Sequence, residues 1–110
     1  MGITPEGKIK ARVRRILEIN KVYHFMPATG GYGRSGVPDI VGCANGKFFA
    51  VECKASADKK PTALQQKELD YIEEAGGFTF VVCDDRTVKH FEVWVVASMT
   101  VPTKRMTSDA

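Results

Sequence analysis

An α/β layered fold is what this 110-residue sequence predicts. Three observations carry the expectation. An amphipathic, basic helical stretch opens the chain, and two β-prone runs meet at Asn45-Gly46. A Pro-Thr start and a Gly-Gly stop then bracket a second helix ahead of another β-prone run. The length suits one domain over 1–110, with a polar tail from about residue 102.

Residues 7–21 place Ile9, Val13, Ile16 and Leu17 on one helical stripe, with Lys8, Lys10, Arg12, Arg14, Arg15 and Lys21 mostly off it. The run VYHFM (22–26) is β-prone and ends at Pro27, and TGGYGRSG (29–36) reads as a loop from its glycines. Strands over 39–44 and 47–54 flank Asn45-Gly46, the strongest short-range hairpin signal. Thr62 with Gln65 forms a capping-box pattern, Leu64, Leu69, Ile72 and Ala75 give that helix an apolar face, and Gly76-Gly77 ends it. FTFVVC (78–83) reads as a buried strand closed by Asp84-Asp85. Residues 87–99 fit a helix through Val88, Phe91, Val95 and Met99 and a strand through their β-branched content; the helix is the reading adopted. The order is α-β-β-β-α-β plus a terminal element.

Composition narrows the class. Apolar residues at 44% and charged residues at 26% exclude a disordered chain and a disulfide scaffold. No run approaches the ~20 apolar residues of a membrane span, and MGITPEGKIK lacks the apolar core of a signal peptide. Cys43, Cys53 and Cys83 are odd in number and form no CxxC pair, which reads as reduced intracellular thiols packed as small core residues rather than a zinc site. The net charge of +3 says little by itself. Its concentration on the first helix suits a polyanion partner and a solvated helix face equally.

The charges on the hairpin are the informative part. With Asn45 and Gly46 as the loop, Ala44 faces Lys47 and, in the same register, Asp39 faces Glu52. Directly opposed side chains lie ~4.5–5.5 Å apart at Cβ, and Lys54 shares the Glu52 face because strand side chains alternate. Ile40, Val51 and Cys53 fall on the opposite face and suit a core. Two opposed carboxylates destabilise a sheet unless a positive charge lies between them. Lys54 compensates only one. A divalent ion compensates both, and oxygen donors favour Mg²⁺ or Mn²⁺ over zinc. The backbone carbonyl of Cys53 is a further candidate ligand. A solvent-exposed hairpin face carrying a screened charge cluster is the alternative.

These residues resemble a known family. VPD followed by ECK, within TGGYGRSGVPDIVGCANGKFFAVECKA…PTALQQKEL…AGG, resembles the VRR-NUC branch of the PD-(D/E)xK nucleases, in particular its small stand-alone members of phage type. The likeness covers roughly residues 5–83. It implies a restriction-endonuclease-like αβββαβ core with a mixed central sheet flanked by helices, in the cytoplasm of a bacterial or phage-infected cell. Asp39 and Glu52 resemble the metal-binding carboxylates. Lys54 resembles the lysine that orients the attacking water or steadies the developing phosphorane charge. Gln66 resembles the glutamine opening the helix after the ExK strand; Gln65 competes, but its capping position gives it a structural job. Relatives often carry a glutamate on the first helix near the metals, for which Glu6 is the candidate and Glu18 the runner-up. Glu6 serves equally as a favourable charge at a helix start.

The expected chemistry is metal-dependent hydrolysis of a phosphodiester, with charge growing on the phosphate oxygens beside Lys54. In the glycine loop, Arg34 and Ser35 suit phosphate contact and Tyr32 suits stacking, and Lys59 and Lys60 extend the basic surface past the ExK strand. His24, His90 and Trp94 receive no role. With no zinc finger or helix-turn-helix pattern, DNA shape rather than sequence is the expected target. Stand-alone relatives are associated with branched DNA such as four-way junctions, and paired cuts in a junction imply a homodimer. A catalytically silent DNA-binding module on the same fold, or a nuclease for flap or nicked DNA, are the other readings.

Overall fold

The computed structural model describes residues 3–28 and 34–100; Tyr32 and the tail from about 102 lie outside the described residues. The first helix, α1, runs Pro5–Ile19. Thr4 caps it by accepting from the Gly7 N–H at 3.0 Å, and Pro5 takes the first position, where no backbone donor is needed. Strands β1 (Tyr23–Phe25), β2 (Ile40–Ala44) and β3 (Lys47–Cys53) follow. Helix α2 (Ala63–Glu74), strand β4 (Phe78–Val82) and helix α3 (Asp85–Met99) complete the order.

The sheet order is β1-β2-β3-β4. β1 and β3 pair antiparallel with β2, and β4 lies parallel to β3 after the α2 crossover. Ala44 faces Lys47 as expected, because Asn45 (φ 51) and Gly46 (φ 86) both take the left-handed conformation that a two-residue hairpin turn needs. The ambiguous segment near the C-terminus is helical. Asp84 and Thr87 cap it reciprocally, with the Thr87 N–H donating to Asp84 Oδ1 at 2.8 Å, and Val88, Phe91 and Val95 turn inward together.

One sheet face carries the core. Ile40, Phe49, Val51, Cys53 and Val82 pack against Val13 and Leu17 of α1 and Phe91 and Val95 of α3. Phe91 stands edge-on to Phe80, with centroids 4.9 Å apart. The second face receives α2, where Phe48, Tyr71 and Ile72 line a cavity of about 360 Å³. Side-chain alternation along β3 therefore sends Val51 and Cys53 into the core and Glu52 to the α2 side. Among the described residues, no helix is long and apolar enough to cross a membrane.

Candidate metal and phosphate site

The segment leading into β2 is fastened to the start of α2. Gly36 adopts φ +79, and a Cβ there would stand 2.5 Å from the Leu64 carbonyl carbon, so only glycine lets the two backbones approach this closely. Arg34 reinforces the contact through an ion pair to Glu68 at 2.7 Å. Pro38 is buried, and Asp39 follows one step beyond the Ile40–Val51 pair, at the open end of the hairpin.

Asp39 divides its two oxygens. Oδ2 accepts from the Cys53 N–H at 2.7 Å, while Oδ1 faces Lys10 Nζ at 3.5 Å. Glu52 divides its own. Oε2 faces Lys54 Nζ at 3.6 Å, and Oε1 is buried with no hydrogen-bond partner. Glu52 is only 2% exposed, and burial first, then the Asp39 charge, push its carboxyl up to about 7 against the opposing pull of Lys54. Burial, with Asp39 next, pushes the Cys53 thiol up to about 12, so its sulfur stays protonated and only its backbone is suited to a cation.

Lys54 is held at both ends. Its N–H donates to the Val82 carbonyl at 2.9 Å, and its Nζ donates to Gln65 Oε1 at 2.8 Å. The same Gln65 oxygen accepts from the Thr62 N–H at 2.9 Å, closing the capping box of α2. One amide oxygen thus starts the helix and aims the lysine. Gln66 is exposed and donates to Asp70 at 2.9 Å, so the structure brings Gln65, not the expected Gln66, to Lys54. If the site hydrolyses a phosphodiester, as the sequence resemblance implies, Gln65→Ala should slow cleavage by roughly tenfold or more, through a lysine left free to wander. Gln66→Ala should match wild type, and Thr62→Ala should cost about 1 kcal/mol of stability with little change in rate. Single-turnover cleavage paired with urea unfolding measures both.

The remaining expected residues divide. The charge of Glu6, in the first turn of α1, acts on both Glu52 and the Cys53 thiol, whereas Glu18 is exposed and pairs with Arg14 at 4.0 Å. Ser35, Lys59 and Lys60 are exposed on the segments flanking the site, and the Arg34 side chain is 68% exposed despite its ion pair. Lys10 was not among the expected residues. Its signal was present in the sequence, one helical turn after Glu6 on the same face.

Among the described residues no group of three or more His, Cys, Asp or Glu side chains gathers as a metal cluster. The residues present nevertheless fit a divalent ion of the hard kind. The Asp39 charge acts on Glu52, and a buried oxygen of Glu52 has no hydrogen-bond partner.

Comparison with known proteins agrees with the fold. The family model for archaeal Holliday junction resolvase (Hjc) matches residues 23–101. A solved structure described as "VRR_NUC domain" superposes with a TM-score of 0.72 and 26% sequence identity, covering 81% of this chain and 95% of that one. No curated protein sequence matches the chain. Both matches fall in the restriction-endonuclease-like nuclease group, the fold and relationship that the VPD…ECK pattern implied.

Proposed function

Because the chain belongs to the archaeal Holliday junction resolvase (Hjc) family, we propose that it is a Mg²⁺- or Mn²⁺-dependent endodeoxyribonuclease acting on branched DNA, with four-way junctions as its preferred substrate. The observation that carries the metal dependence is Glu52 Oε1. A carboxylate oxygen that is buried without a donor, beside a second carboxylate, costs the fold stability unless a cation occupies the gap.

In this reading Asp39 and Glu52, with the Cys53 backbone carbonyl, would hold the ion. A bound Mg²⁺ or Mn²⁺ supplies positive charge against the reacting phosphate and lowers the pKa of the attacking water. Lys54, fixed by Gln65 and Glu52, presents an ammonium to the phosphate oxygens or to that water as the phosphorus–oxygen bond breaks. Glu6 contributes its negative charge to the site from the first turn of α1. Tyr32, Arg34, Ser35, Lys59 and Lys60 engage the DNA around the scissile bond, mainly through phosphates, so affinity should fall steeply with salt. A two-fold homodimer places one site on each of two opposed junction strands.

Labelled four-way junction, flap, nicked and linear duplexes, incubated with Mg²⁺ or Mn²⁺ and with chelator, test the proposal. The expected result is paired cuts in the junction only with metal, none from Asp39→Ala, and a dimer by light scattering. If no substrate is cut under any metal condition while DNA still binds, the silent DNA-binding reading replaces this one. Cutting of flaps or nicks alone would move the substrate assignment.

A further inference from the structure

We infer that Lys10 is an exchangeable cation of this site: its ammonium neutralises Asp39 when no metal is present and moves to a DNA phosphate once the ion is held, so that metal loading and DNA binding favour each other. The inference rests on the metal-dependent reading above and adds a residue outside the stretch that the family model matches.

The division of oxygens is the starting point. Asp39 Oδ2 is committed to the Cys53 N–H, which leaves Oδ1 as the oxygen open to a cation, and Lys10 Nζ stands 3.5 Å from it. That separation exceeds an ordinary N–H···O hydrogen bond, so the pair is held by charge alone. Among the described residues Lys10 makes no other ion pair or side-chain hydrogen bond, and its side chain is 34% exposed, so its head can leave without abandoning a second partner. An ammonium and a divalent ion cannot share Oδ1, because like charges a few ångströms apart repel strongly in a half-buried setting.

Lys10 therefore has two positions open to it. In one it caps Asp39. In the other its four-carbon stem swings the ammonium outward, toward the phosphate that lies beside the carboxylates when DNA is bound. DNA draws the lysine off Asp39 and so frees the oxygen, and by linkage an ion on Asp39 strengthens DNA binding by the same factor. A purely structural Lys10–Asp39 pair would behave differently: its loss would lower stability and leave metal affinity unchanged.

The test is Mn²⁺ calorimetry on the metal-free full chain without DNA, comparing wild type, Lys10→Met and Lys10→Arg. Lys10→Met should bind Mn²⁺ roughly three- to tenfold more tightly, the scale of a partly exposed charge pair removed together with its repulsion of the ion. Lys10→Arg should stay near wild type. In a Lys54→Ala background, which slows cleavage of the DNA, junction DNA should tighten Mn²⁺ binding, and Lys10→Met should shrink that gain by a similar factor. Lys10→Met binding Mn²⁺ no more tightly than wild type overturns the inference while leaving the metal site standing. Wild type binding no Mn²⁺ at all overturns the metal-dependent reading itself. Should Lys10→Met fail to fold in chelator, Lys10→Gln carries the same expected gain.

Discussion

Glu52→Gln is expected to silence cleavage and, in the same molecule, to stabilise the metal-free protein at pH 8 by roughly 1–3 kcal/mol. Both effects come from one side chain. Burial and the neighbouring Asp39 raise the Glu52 carboxyl to about 7 from an ordinary value of 4.5. Below pH 4.5 the folded and unfolded chains both carry this proton, and the group costs nothing. Between 4.5 and 7 the folded chain keeps a proton that the unfolded chain releases, so stability falls as pH rises, and it levels off above 7. Wild type in chelator should therefore lose stability from pH 5 to pH 8, and Glu52→Gln should be flatter across that window. Urea unfolding at several pH values measures this. Mn²⁺ at pH 8 should raise the wild-type thermal midpoint and leave the variant unmoved. A variant less stable than wild type at pH 8 in chelator would show that the carboxylate pair is not strained, and the reason for placing an ion there would go with it.

Lys54→Ala should cut the single-turnover rate by about 10²–10³-fold, the usual loss when one charge-stabilising donor is removed from a reacting centre. Metal and DNA binding should persist. Lys54 is only 12% exposed at its side chain, its amine is fixed at 2.8 Å from Gln65 Oε1, and its backbone is tied to β4, so alanine removes the ammonium without releasing the strand. Calorimetry with Mn²⁺ and a gel-shift assay with junction DNA would separate lost chemistry from lost binding. Cleavage at the wild-type rate with metal bound would remove Lys54 from the mechanism.

The hairpin was legible because turn chemistry sets register. Asn45-Gly46 admits one common two-residue bend, and that bend sets the register from Ala44–Lys47 to Ile40–Val51 and sends Val51 and Cys53 to the core. Legibility failed where one atom serves two purposes or where partners are distant in sequence. The spacing of Gln65 from Thr62 reads as a cap, yet a carbonyl oxygen has two lone pairs, and here it accepts from Thr62 and Lys54 together. Arg34, read as a phosphate clamp, is also tied to Glu68, a partner that no periodicity in the loop could reveal. Lys10 belonged to a generic basic helix until the fold laid α1 beside the mouth of the hairpin. The helix–strand ambiguity near the C-terminus had a usable signal: Asp84 followed three residues later by Thr87 is a cap, and a strand would leave it without purpose.

Asp39, Glu52, Lys54 and Gln65 come from a single contiguous stretch, and the bonds joining them span at most 14 positions. Such a cassette assembles from near neighbours, so little loop-closure entropy stands between an extended chain and the gathered cluster of charges. It can be inherited whole while its flanks drift. Substitutions in the approach to β2 should then shift partner choice more readily than they disturb the cluster itself.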